Sequence, residues 1–352
     1  MFKNYLIKKT AVIFIVLITV VLIFSYQAEF KNGVIRGILL CGNVIIPSLF
    51  PFTVCVLILM RSGFPDLFIS IRKPIKWIFG INISEFTAMF LSFIGGYPIG
   101  AKLIDKAYNN GNTTKERARN ILLYSINAGP AFIVLAIGEG FLSNKALGFV
   151  LLFSHIISSL IIAFFLSFNL RSSYVFTHHQ EREYSLADNF VESTTESANT
   201  ILNICAIIIL FSGVSSAFAS FEIPFFTFIT NLLEVTTAIS NTKNIYLISF
   251  LLGFGGISIW LQVIFCCKKI QVNLLHLLFS RILHGLLSAA LTFIELKVLK
   301  IDLQTLSNGF DADILYIYKT PTLAASLLIM TIILIISLER KFDSRNLKND
   351  LV

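Results

Sequence analysis

Residues 90–106 read FLSFIGGYPIGAKLIDK. Three glycines and a proline sit inside a strongly apolar segment, and the polar Lys102 and Asp105 follow within a few residues. Gly95 and Gly96 weaken a helix, and Pro98 also removes a backbone donor. In water this is an ordinary loop. In a membrane such a break leaves backbone groups that need partners, so it survives only when buried in protein or lining a cavity. Two readings stay open at this point. One is a broken segment near the bilayer midplane, the kind that builds transporter binding sites. The other is a kinked packing helix whose glycines let a neighbour approach closely.

The composition places that break in lipid. Of 352 residues, 56% are hydrophobic and 14% are charged, where a soluble domain carries about 25% charge. Mean hydropathy is +0.81. The chain is expected to be all-α, a polytopic helical membrane protein of about seven to nine membrane segments. The net charge of +8 is not a nucleic-acid signal, because the basic residues sit at the ends of apolar runs, as in cytoplasmic loops. The five cysteines (Cys41, Cys55, Cys205, Cys266 and Cys267) lie in or beside apolar stretches and read as small core residues rather than a disulfide framework.

Lys3, Lys8 and Lys9 precede an apolar run over 11–24 with no small-x-small cleavage site after it. It is expected to be an uncleaved anchor helix with a cytoplasmic N-terminus. The next span, 34–60, holds Pro47 and Pro51 and should kink. Arg61, Arg72, Lys73 and Lys76 cluster around an amphipathic piece over 67–79, with Trp77 suited to the interface. The segment 84–108 has arms of about ten residues where a crossing helix needs about 20, so a re-entrant hairpin with its tip at 95–100 is expected. A span over 118–137 is interrupted by Asn127-Ala128-Gly129-Pro130. Asn127 either bonds a ligand there or satisfies carbonyls freed by Pro130. Uninterrupted spans are expected over 147–168, where His155 reads as an interhelical hydrogen-bonder, and over 201–221. The adjacent His178 and His179 lack the i, i+4 spacing of a helical metal site, so no metal is assigned. Glu234 stands in a largely apolar setting, where an acidic residue is a functional candidate or a helix-end carboxylate facing headgroup water. Spans over 274–296, holding Arg281 and His284, and over 314–338 complete the chain.

A second Gly-Gly break, Gly253-Phe254-Gly255-Gly256-Ile257-Ser258, lies about 160 residues after the first. The order of elements around the two breaks predicts an inverted repeat with two re-entrant or broken hairpins, a plan common among secondary transporters. The expected organisation is an anchor helix over 1–30, a first repeat over 31–170 and a polar connection over 171–198. A second repeat over 199–298 and a C-terminal helix with a charged tail over 299–352 follow. One tension remains. With two hairpins, Lys268, Lys269 and the basic tail fall outside, against the charge rule. Either a segment is miscounted or the second hairpin crosses.

At GGYPIGAKLI (95–104), NAGPAFI (127–133), LEVTTAI (233–239) and FGGISIWLQ (254–262) the chain resembles the sporulation integral membrane proteins of the YlbJ type, which carry the nucleoside recognition or Gate domain. The resemblance covers roughly 45–291, with the four motifs in the family's order. It implies a plasma-membrane protein linked to spore formation, akin to nucleoside transporters. The positions it carries over are Gly96, Tyr97, Pro98, Gly100, Ala101 and Lys102; Gly129 and Pro130; Glu234, Thr236 and Thr237; and Gly255, Gly256, Ser258 and Gln262. Ala238 stands where the family commonly has glycine, and Ile259-Trp260-Leu261 replaces a smaller, more polar stretch.

The leading expectation is a permease for a small polar solute. Gly95 and the carried-over break residues, with Asn127, Glu234, Ser258 and Gln262, would bind it, since paired amide donors and acceptors suit a nucleobase or sugar edge. Lys102 would favour an anion or pair with Asp105 or Glu234. A coupling ion, proton or sodium, is the further partner this reading admits. The second class is a non-transporting membrane scaffold for spore-envelope assembly. No Ser/His/Asp constellation, metal spacing or phosphate loop stands out, so an enzyme is not expected, and no cofactor is.

Overall fold

The computed structural model describes residues 2–62, 64–170, 185–221, 230–240, 242–267 and 269–300. Among these, helices are joined by short turns and unwound stretches, with no strand. Five helical runs are long and apolar enough to cross a membrane: Gln27–Arg61, Lys145–Phe168, Leu186–Ala219, Ile245–Cys266 and Leu274–Leu299. A sixth is present if Phe64–Phe79 and Ile83–Gly95, which meet at 84°, form one crossing. This is a multi-pass integral membrane protein, and its described residues show somewhat fewer crossings than the seven to nine expected. Two reasons are visible. The expected span over 314–338 lies outside the described residues. The expected span over 118–137 is not one helix.

After α1 (Phe2–Ser25), α2 (Gln27–Leu40) runs through a wider π-helical turn, Cys41–Ile45, into α3 (Ile46–Arg61). That turn comes just before Pro47 and Pro51, where missing donors already loosen the ladder. α9 (Leu186–Ala219) lies antiparallel to this run. Arg36 donates to Ser216 Oγ at 2.7 Å near one end, and Arg61 meets Glu196 at 2.6 Å near the other. A 3-10 stretch, Phe64–Ile71, and α4 (Arg72–Phe79) turn sharply into α5 (Ile83–Gly95). Asn82 and Glu85 cap α5 reciprocally, each side chain accepting the other's backbone N–H.

α5 and α6 (Tyr97–Asn109) form the expected hairpin, hinged at Gly96. A Cβ at Gly100 would strike the Ser125 carbonyl and come within 2.7 Å of Ser92 Cβ, so the two arms fold back on each other. The second break differs. α11 (Ile245–Phe254) and α12 (Gly256–Cys266) are separated at Gly255, yet together make one run of 22 residues that is not sharply bent. It is a broken helix that carries on in one direction. Between the breaks lie α7 (Lys115–Leu122), an unwound stretch, a π-helical stretch (Ala131–Phe141), α8 (Lys145–Leu170) and the short α10 (Val235–Ser240). α13 (Leu274–Leu299) packs on α8 and α11.

A continuous second segment removes the tension at Lys269; Lys268 and the basic tail lie outside the described residues. Arg119 Nε donates to the carbonyls of Ile270 and Gln271 at 2.9 and 3.0 Å, and Lys115 Nζ donates to Gln271 Oε1 at 2.7 Å. The loop after α12 therefore lies at the same end of the molecule as the base of the hairpin and its basic residues.

Candidate functional site

Four sequence-distant breaks meet at one place. Gly96 adopts φ +85°, ψ −178°, a region open essentially only to glycine. Without a Cβ it lies against Gly129, whose own added Cβ would come within 3.1 Å of the Ile94 carbonyl. The GGYP and NAGP breaks thus touch backbone to backbone. Tyr97 Oη donates to the Leu252 carbonyl at 2.7 Å, tying the first break to the end of α11. Gly256, at φ +71°, sits against the backbone of Leu232, Leu233 and Val235, which brings the second break onto the segment carrying Glu234.

The unwound stretch after α7 shows how such backbone persists in lipid. Arg281, wholly buried, donates to the Ile126 carbonyl at 2.6 Å and to the Leu123 carbonyl. Ser280 Oγ also reaches Leu123 O, at 2.6 Å. Ser159 Oγ and Asn127 Nδ2 both donate to Tyr124 O, at 2.5 and 2.9 Å. His155 Nε2 accepts the Ala128 N–H at 3.0 Å, and His284 contacts the His155 carbonyl at 3.0 Å. The backbone groups freed by this break are met by buried side chains from α8 and α13.

At the meeting point is an inner cavity with about 40 Å³ open to water centres. Its polar lining is Tyr97, Glu234, Thr236, Ser258 and Gln262, with Gly96, Pro98 and Gly129 supplying backbone. Apolar walls come from α3, α9 and the π-helical stretches, through residues such as Leu49, Phe132 and Ile204. Glu234 accepts from Thr236 N at 3.1 Å and from Thr236 Oγ1. It is 1% exposed and so does not face headgroup water. A wider compartment of about 280 Å³ adjoins, sharing Pro98, Ile204 and Gln262 with the first. Lys102, Asp105, Asn199, Thr200 and Asn203 line it.

The remaining expected site residues do other work. Gly95 lies under Ile99, and Gly100 under the Ser125 carbonyl. Asn127 is buried, donating to Ser92 Oγ at 3.2 Å and to Tyr124 O, so it serves the freed backbone rather than the cavity. Pro130 opens the π-helical stretch, and Gly255, at φ +83°, packs beside Tyr97. The Thr237 side chain, His178 and His179 lie outside the described residues. Lys102 pairs with neither Asp105 nor Glu234. Its Nζ meets Glu196 at 3.0 Å and donates to Thr200 Oγ1 at 2.7 Å. Trp260 turns away from the cavity, donating to the Phe254 carbonyl at 3.0 Å. No cluster of three His, Cys, Asp or Glu side chains suited to a metal occurs among the described residues.

With that geometry in place, comparison with known proteins finds a distant relative. The chain is similar to the sporulation integral membrane protein YlbJ of Bacillus subtilis (strain 168). Identity is 22% over 335 residues, covering 81% of this chain and 82% of that protein. No family model matches the chain, and no solved structure does. The resemblance read from the four motifs is thus met by a named relative along most of both chains.

Sequence reasoning passed over one buried pair. Arg117 is wholly buried and grips Glu85 with two bonds, Nε to Oε1 at 2.8 Å and Nη2 to Oε2 at 2.6 Å. Thr113 Oγ1 adds a third bond to Glu85 at 2.6 Å, and Arg117 also caps the Gly80 carbonyl at 2.9 Å. This network ties the base of the hairpin to α7. The Asn82-x-x-Glu85 capping spacing was the signal in the sequence.

Proposed function

We propose that this protein is a plasma-membrane permease for a small polar, nucleoside-like solute, acting in spore formation, with its N-terminus in the cytoplasm. The observation that carries this reading is the convergence of Gly96, Gly129, Glu234 and Gln262, residues from four separate motifs, on one cavity that adjoins a wider compartment. Backbone broken at membrane depth, lining a cavity and equipped with amide and hydroxyl groups, is the arrangement secondary transporters use. The spore link follows from the name of the Bacillus subtilis relative. The cytoplasmic placement of the N-terminus follows from the charge rule applied to Lys3, Lys8 and Lys9 ahead of the first apolar run.

The test is thermal unfolding of the detergent-purified protein against nucleosides, bases, amino acids and dicarboxylates. A ligand bound only by the folded state raises the melting temperature in a concentration-dependent way. One class of compound is expected to do so, and Gln262→Ala and Glu234→Gln are expected to abolish its uptake into proteoliposomes. Unchanged uptake in both variants overturns the site assignment. A flat response across the panel favours the second reading, a scaffold for spore-envelope assembly, which the relative's name supports equally well.

A further inference from the structure

The inner cavity is too small for the solute. At about 40 Å³ open to water centres it holds about three waters, since each needs about 10–15 Å³ on that measure. A nucleoside does not fit; the neighbouring compartment of about 280 Å³ is the one of small-molecule size.

What lines the inner cavity is also different in kind. Its polar side chains are the Glu234 carboxylate, the Thr236 and Ser258 hydroxyls, the Gln262 amide and the Tyr97 hydroxyl, the last already given to the Leu252 carbonyl. Ser258 is 0% exposed, and its Oγ has no hydrogen-bond partner among the described residues. A buried hydroxyl left without a partner costs free energy unless something fills the site. Oxygen donors without imidazole or thiolate suit hard cations rather than transition metals. A single carboxylate among neutral oxygens matches one positive charge, not two.

We propose that the inner cavity is a monovalent-cation site matched to sodium, held by Glu234, Thr236, Ser258 and Gln262, and that the solute occupies the outer compartment. This deepens the permease reading and rests on it for the solute alone. Gln262 lies on the wall between the two compartments. An amide carries acceptor and donors on one rigid group. A cation that draws the Gln262 oxygen inward turns its NH2 toward the solute, so each ligand prepares the site for the other, and the coupling is reciprocal.

The experiment is thermal unfolding of the full-length purified protein at constant ionic strength, with sodium chloride replaced stepwise by potassium or choline chloride. Sodium is expected to raise the melting temperature saturably, and potassium and choline are not. Ser258→Ala and Glu234→Gln should lose the shift, while Asn203→Ala, in the outer compartment, should keep it. Should Glu234→Gln fail to fold, Ser258→Ala, which removes one oxygen, decides the matter. No sodium-specific shift, a shift retained by Ser258→Ala, or a shift reproduced by pH change alone overturns the proposal. The measurement needs no solute. A sodium shift with no response to any solute leaves the cation site standing and removes the permease. A solute response indifferent to sodium does the reverse.

Discussion

At the residue scale, the site depends on what single positions lack as much as on what they carry. Gly96 has no Cβ at φ +85° and touches Gly129. Gly96→Ala forces a residue with a Cβ into a glycine-only region at a cost of about 1–3 kcal/mol, and is expected to lower the melting temperature and weaken ligand binding together. A melting temperature equal to that of the unaltered protein would show that the hinge relaxes freely. Tyr97 acts by what it carries. Its hydroxyl reaches the Leu252 carbonyl across 155 positions of sequence, so one phenol holds two breaks in register.

At the scale of elements, the hairpin stands on a buried ion pair. Removing one partner of such a pair leaves an uncompensated charge and costs about 3–5 kcal/mol, whereas replacing both by apolar groups is often neutral. Arg117→Met is therefore expected to lower the melting temperature sharply, because it strands Glu85 with only Thr113 Oγ1 and the Asn82 N–H. Adding Glu85→Leu should recover a large part of the loss. A double variant no more stable than Arg117→Met would mean that the Arg117 bond to the Gly80 carbonyl, rather than the charge pair, carries the anchor. The unwound stretch after α7 follows the same logic with neutral partners: buried hydroxyl, amide and imidazole groups, with Arg281, replace the hydrogen bonds a helix would have made.

At the scale of the whole molecule, the second broken segment decides topology. A run from Ile245 to Cys266 without a fold-back puts the loop containing Gln271 at the end occupied by Lys115 and Arg119. With Cys55 and Cys266 replaced by serine, cysteines introduced at Asn110 and Gln271 are expected to react with a membrane-impermeant thiol reagent from the same face. A cysteine at Lys145, at the start of α8, should react from the other. Labelling of Asn110→Cys and Gln271→Cys from opposite faces would restore a second re-entrant hairpin. The two compartments lie between these ends, with the wider one next to Lys102 and its partner Glu196.

The sequence by itself determined the class of protein and the places where its helices break. Transfer of apolar residues into lipid, the missing donor of proline and the dihedral freedom of glycine are properties of single residues, so they can be read without knowing any neighbour. It also singled out Glu234 and Gln262, polar residues in apolar runs that demand a reason, and both line the inner cavity. Tertiary structure decided what depends on pairs far apart in the chain. Asn127 turned out to serve freed carbonyls, Lys102 to pair with Glu196, and Arg117 to lie in the interior. One Gly-Gly break folds back and the other runs on, though the two look alike as sequence. Each of these outcomes is set by which partner lies within about 3 Å once helices pack, and local sequence holds no record of that partner.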